Sequence, residues 1–162
     1  MEVKMNVNLV NNEGFTCLHM AAKYGRTDIL RILVDVGSSI NLQAYDNLYT
    51  PLHLACIFQR VAVVKELLKC EDCNIDASDY KGNTALFYAS VQNNIKLTEL
   101  LLQNGANGQK CNLSGMSVLA ACEEKNLFRI ITLLKAYNVK LTLKRPLAHP
   151  NNIKSDKQTM LL

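Results

Sequence analysis

Apolar residues recur along this chain in short clusters at helical spacing, and the clusters come in pairs. The longer member of each pair places them at Ile29, Leu30 and Leu33, then at Val63, Val64 and Leu67. It does so again at Leu97, Leu100 and Leu101, and at Ile130, Ile131 and Leu134. Positions three and four apart lie on one helix face, so each cluster predicts an amphipathic helix with one buried stripe. The shorter member precedes it and predicts helices over Leu18–Lys23, Leu52–Ile57, Leu86–Val91 and Leu119–Glu124. These short helices carry Ala21, Ala22, Ala55, Cys56, Ala89, Ala121 and Cys122, side chains small enough for a second helix to approach closely. Gly25, Asn93 and Asn126 stand between the members of a pair, where a left-handed residue would turn the chain. Gln59 is a poor match at the equivalent place. Gly37, Gly105 and Asn138 are expected to stop the longer helices.

The pairs are copies of one unit. Thr16, Thr50, Thr84 and Ser117 are spaced 34, 34 and 33 residues apart, and Leu33, Leu67, Leu101 and Leu134 each follow 17 residues later. A fixed period of this length is the signature of a stacked repeat architecture. "GFTCLHMAAKYG" from Gly14 and "TPLHLACIFQ" from Thr50 carry the motif most fully, with "GNTALFYASVQN" and "GMSVLAACEEKN" as weaker copies.

These residues resemble the ankyrin repeat, whose pattern is close to D-x-x-G-x-T-P-L-H-x-A-A. The resemblance covers about residues 5–142. It implies an all-α fold: a solenoid of stacked helix-turn-helix units joined by β-turn fingers. Residues 1–141 form the repeat domain, with repeats at about 12–44, 45–78, 79–111 and 112–141, and residues 142–162 form a basic C-terminal tail or cap. Val7 to Gly14 reads as the finger between repeat 1 and a preceding unit. The chain is then either a shortened protein starting at Met1 or part of a longer one. The links "INLQAYDNLYT" and "KCEDCNID" are each longer than usual and should enlarge fingers or loops. The tail is expected to fray, with Leu143 and Leu147 as candidates for folding back over the last repeat.

Composition narrows the function. Hydrophobic residues make up 49% and charged residues 20%, enough for a core and unlike a disordered chain. No apolar run reaches about 18 residues, so no membrane span is expected. The N-terminus lacks the apolar stretch of a signal peptide, which points to the cytoplasm or nucleus and to free thiols at all six cysteines. The net charge of +4 belongs to the tail: residues 1–139 hold 13 bases and 13 acids, while Lys140, Lys144, Arg145, Lys154 and Lys157 face only Asp156. Bases are not interleaved with aromatics as a nucleic-acid platform requires, so no direct nucleic-acid contact is expected.

Candidate chemistry has bland explanations. His19 and His53 each follow a threonine by three residues. The resemblance implies that the pair hydrogen-bonds the turn and the neighbouring backbone, and no carboxylate is placed to orient either ring. Cys70 and Cys73 form one C-x-x-C, only half of a four-ligand zinc site, and the motif follows a helix C-terminus, where the dipole disfavours a thiolate. A metal or thiol function there is a minor alternative. No phosphate-binding glycine loop, G-x-S-x-G or H-E-x-x-H is present, so neither an enzyme, a cofactor nor a small-molecule substrate is expected.

The positions that the repeat leaves free are more informative. The resemblance implies that finger tips and the exposed side of each first helix form a concave surface for partners. There the chain carries Phe15, Tyr24, Tyr45, Tyr49, Ile57, Phe58, Tyr80, Leu113 and Met116, including six of its ten aromatics. Aromatics dominate binding hot spots. Lys23, Arg26 and Arg60 would form a polar rim. The expected function is therefore a non-catalytic module that binds a partner protein. One alternative is the recognition part of a larger assembly such as a ubiquitin ligase, although residues 142–162 show no SOCS-box or F-box pattern. Another follows from "INLQAYDNLYT", which resembles inhibitors of the NF-kappa-B transcription factors. Truncated members of that group lack an N-terminal degradation signal and an acidic C-terminal region, as this chain does; its basic tail argues against the match.

Overall fold

A computed structural model describes residues 6–144. Among these residues eight helices follow one another: α1 (Cys17–Tyr24), α2 (Thr27–Asp35), α3 (Pro51–Ile57), α4 (Val61–Leu67), α5 (Ala85–Val91), α6 (Ile95–Gln103), α7 (Val118–Glu124) and α8 (Phe128–Lys144). Thr16, Thr50, Thr84 and Ser117 are the N-caps of the odd-numbered helices, and each side chain accepts the amide three residues on. Pro51 occupies the first turn of α3, where no amide partner is needed.

Between the two helices of each unit the chain turns through a left-handed residue. Gly25, Asn93 and Asn126 adopt positive φ, and so does Gln59, at 56°. The glutamine was the poor match by residue type, yet the turn imposes its geometry.

The odd helices stack in one row, α1 on α3 on α5 on α7, and the even helices in a second, α2 on α4 on α6 on α8. The core lies between the rows and between successive units. Leu18, Leu30, Leu67, Leu86, Leu97, Leu101, Ile130 and Leu134 are all fully buried within it. Glu66 on α4 ties the second row together at the surface, accepting Arg31 of α2 at 2.8 Å and Lys69 at 2.9 Å, which hold its carboxyl down to about 2.

The fingers between units are joined edge to edge by the amides of Tyr45, Tyr80 and Leu113, which donate to the carbonyls of Glu13, Asn47 and Lys81 at 3.0, 3.1 and 2.9 Å. Their closeness explains Gly14: a Cβ there would stand 2.5 Å from the Tyr45 nitrogen. The long first link places its extra residue in the second finger. That finger closes with the Ala44 amide on the Tyr49 carbonyl, one residue further than Asn11 on Phe15 or Asp79 on Asn83. Leu48 takes positive φ, 54°, where the other fingers use glycine. In the second long link, a turn donates the Cys73 amide to the Cys70 carbonyl at 3.0 Å.

One expected stop is overturned. Asn138 does not end the last helix, and α8 continues to Lys144, across the division expected between 141 and 142. The earlier long helices run into glycine at 37 and 105, whereas no glycine or proline follows Asn138 before Pro146. Lys140, Leu143 and Lys144 therefore lie in a helix. Arg145, Leu147, Lys154 and Lys157 lie outside the described residues, as does the expected fold-back of Leu147.

Candidate functional site

The two histidines fasten one unit to the next. His19 Nδ1 accepts the Thr16 amide at 3.1 Å, so the ring carries its proton on Nε2, which donates to the Tyr49 carbonyl at 3.0 Å. His53 repeats this with Thr50 at 3.2 Å and the Asn83 carbonyl at 3.2 Å. Each ring thus lies on the finger of the following unit. Burial depresses both imidazoles below their ordinary pKa, and the carbonyl contacts only partly oppose it. A neutral, fully bonded imidazole of this kind is a strut.

In repeat 3 the ring at the histidine position is Phe87, while the finger of repeat 3, already met by His53 of repeat 2, is also braced from within its own unit. Asp79 Oδ1 accepts the Lys81 and Asn83 amides, both at 2.8 Å. Its Oδ2 accepts the Tyr88 hydroxyl at 2.5 Å. Tyr88 also meets the Tyr49 hydroxyl at 3.3 Å, and its ring stands edge-on to Tyr49. Burial first, then the Asp79 carboxylate, pushes the Tyr88 phenol well above its usual range. Tyr88 is missing from the sequence-derived set. Its partners lie nine and 39 residues away, so only the helix position facing the fingers could have signalled it.

The nine sequence-derived residues fall into two groups. Tyr24, Tyr45, Phe58, Tyr80 and Leu113 are exposed, Leu113 at 81%. Phe15, Tyr49, Ile57 and Met116 are half-buried. Phe15 rests on the His19 ring, and Tyr49 fits between His53 and Tyr88, so both serve the stack as well as its surface.

The exposed members lie along two lines. On the short helices, Lys23 Nζ stands over the rings of both Tyr24, 5.6 Å away, and Phe58, 5.4 Å away, bridging repeats 1 and 2. Arg60 donates from Nε to the Lys23 carbonyl at 3.0 Å and fixes the backbone beneath. On the fingers, Tyr45, Tyr80 and Leu113 occupy equivalent places at successive tips, with Lys81 Nζ 5.2 Å from the Tyr80 ring. Leu48 belongs with them: a branched side chain held at positive φ and exposed. Arg26 is exposed at the end of the array.

Cys56 and Cys122 are buried, Cys70 and Cys73 half-buried, and Cys17 and Cys111 exposed. Burial raises Cys70, and lifts Cys73 and Cys122 to about 11, so all three stay protonated at neutral pH. All six cysteines are free. Among the described residues no group of three or more His, Cys, Asp or Glu stands ready for a metal ion. No helix among them is long and apolar enough to cross a membrane.

Comparison with known proteins agrees with this architecture. Two family models match, "Ankyrin repeats (3 copies)" over residues 39–112 and "Ankyrin repeats (many copies)" over residues 2–55. Similar proteins include the NF-kappa-B inhibitor cactus of Drosophila yakuba, 35% identical over 102 residues, which are 62% of this chain and 21% of cactus. The putative ankyrin repeat protein FPV034 of fowlpox virus is 34% identical over 107 residues, 66% of this chain and 25% of its own length. Alpha-latrotoxin-Lg1a of Latrodectus geometricus is 37% identical over 84 residues, 52% of this chain and 6% of the toxin. The chain thus matches a quarter or less of each of these proteins. With four capped helix pairs, finger-to-finger bonding and both family matches, the chain belongs to the ankyrin-repeat family.

Proposed function

We propose that the chain binds a partner protein on the face formed by its finger tips and short helices, without catalysing a reaction. Ankyrin repeats in general mediate protein–protein contact. The observation that carries the specific reading is the ridge in which Lys23 bridges the exposed rings of Tyr24 and Phe58 across two repeats. Exposed rings fixed on rigid elements have little conformational freedom to lose on binding. The tips at Tyr45, Leu48, Tyr80 and Leu113 extend the same surface.

Likeness to cactus, named as an NF-kappa-B inhibitor, favours a partner of the NF-kappa-B type. The reading also sets the chain inside the cell, in cytoplasm or nucleus, where six free thiols remain reduced.

Purified chain titrated with an NF-kappa-B-type dimer tests both levels. Binding is expected, and Tyr24→Ala with Phe58→Ala should weaken it by at least about thirtyfold, or ~2 kcal/mol. The thermal transition should hardly move, because neither ring is buried. Tyr49 is avoided because its hydroxyl and ring are engaged with Tyr88. If the dimer does not bind, this partner class is wrong. If it binds and the double variant binds equally well, the face is wrong.

A further inference from the structure

Charged side chains meet across the seam between repeats 1 and 2 on both rows of helices, in different ways. On the row of long helices a carboxylate stands between two bases: Glu66 accepts Arg31 of the preceding unit and Lys69 of its own. On the row of short helices the bases are present without the acid. Arg60 donates from Nε to the Lys23 carbonyl at 3.0 Å, which sets two cationic side chains on one seam. Among the described residues neither takes part in an ion pair. Asp28, in the first turn of α2, acts on Arg31 instead.

Both bases are held in place. The Arg60 side chain lies across Gly25, where a Cβ would stand 3.0 Å from its Cδ. Lys23 Nζ is held over the Tyr24 and Phe58 rings. Between the two units, Tyr24, Gly25, Arg60 and Val61 border an open hollow of about 190 Å3. Small-molecule sites begin at about 300 Å3, so this hollow suits one side chain of a larger partner. Two like charges fixed on one seam gain nothing from each other, and their placement fits an anion brought from outside.

We infer that this seam receives a carboxylate of the partner protein, carried on an acidic segment whose apolar side chains lie along Tyr24 and Phe58. The inference rests on the partner-binding face proposed above and names the chemistry that face selects. The incoming carboxylate completes, between Lys23 and Arg60, the bridge that Glu66 makes between Arg31 and Lys69. A nucleic-acid strand would also bring anions, but such strands stack their bases on ring faces, and Lys23 already occupies a face of each ring.

Three labelled peptides test this, alike except that the residues flanking two leucines are Glu, Gln or Lys. Titrated at low ionic strength, the Glu peptide is expected to bind the full chain, and added salt should weaken it. Lys23→Gln and Arg60→Gln should each lower its affinity about tenfold, the loss of one charge-assisted hydrogen bond. Lys96→Gln, at an exposed site on α6, should leave it unchanged. Lys23→Glu with Arg60→Glu should turn the preference towards the Lys peptide, a reversal that loss of structure cannot produce. Circular dichroism checks folding; Lys23→Gln keeps the carbonyl that Arg60 uses, so it decides if the Arg60 variant unfolds. The inference is overturned if no peptide binds, if the Glu peptide binds no better than the Gln peptide, or if both glutamine variants bind it as the parent does. It is equally overturned if a single-stranded oligonucleotide binds more tightly than the Glu peptide and loses affinity in the same variants. If the NF-kappa-B-type dimer does not bind while the Glu peptide behaves as expected, the partner class falls and this inference stands. If the dimer binds and is lost with Tyr24→Ala and Phe58→Ala but not with the glutamine variants, the face stands and the carboxylate is overturned.

Discussion

His19 and His53 show how a reactive residue type becomes a structural one. Each ring accepts an amide on Nδ1 and donates from Nε2, so a second proton on the ring would remove one bond and charge a buried group. Their folded pKa values lie below the ordinary 6.5, so the unfolded chain takes up protons first as pH falls. Stability is therefore complete above about 6.5 and declines below it. Thermal melting between neutral and mildly acidic pH should show this loss. His53→Phe, which copies the ring found at Phe87, should flatten the slope while costing about 1–2 kcal/mol at neutral pH through the lost bonds. The role of these histidines was legible through the resemblance, which implies that a histidine three residues after the capping threonine bonds the turn and the neighbouring backbone. Leu48 was not legible. Its positive φ follows from where one extra residue settles in the finger, and nothing in the local sequence fixes that place.

Single elements reveal where pattern stops being enough. The starts of the short helices were readable because a threonine or serine caps each one, and of the three stops expected, those before Gly37 and Gly105 are found. Asn138 misled because asparagine ends a helix only when the chain beyond it turns away; here Val139 to Lys144 continue the helix. The candidate surface was half legible. Finger and helix positions located the aromatics, but which of them pack on a neighbour depends on contacts between units, as Tyr49 and Tyr88 show. The third finger depends on such a contact. Tyr88→Phe should cost about 1–2 kcal/mol by leaving the Asp79 oxygen without its hydroxyl. Hydrogen exchange should then quicken at the Lys81 and Asn83 amides, while α1 and α2 keep their protection.

Across the whole molecule, stability resides in the contacts between neighbouring units, since each helix pair alone leaves one apolar face open. Leu97 fills the seam between repeats 2 and 3 and is fully buried. Leu97→Ala should cost about 2–5 kcal/mol. Because it weakens a joint in the middle of a linear array, denaturant unfolding followed at the two ends should separate into distinct transitions, where the parent chain is expected to unfold in one.

The struts of His19 and His53 have one more consequence. Each ends on a backbone carbonyl of the following finger, at Tyr49 and at Asn83, and every residue supplies a carbonyl. The joint therefore does not read the identity of the next unit. Excision of residues 45–78 would bring the Asn83 carbonyl to His19 in place of that of Tyr49, and the seam would close again. An ancestral gene could lengthen or shorten by whole units without retooling its joints, leaving the residues on the fingertips free to diverge.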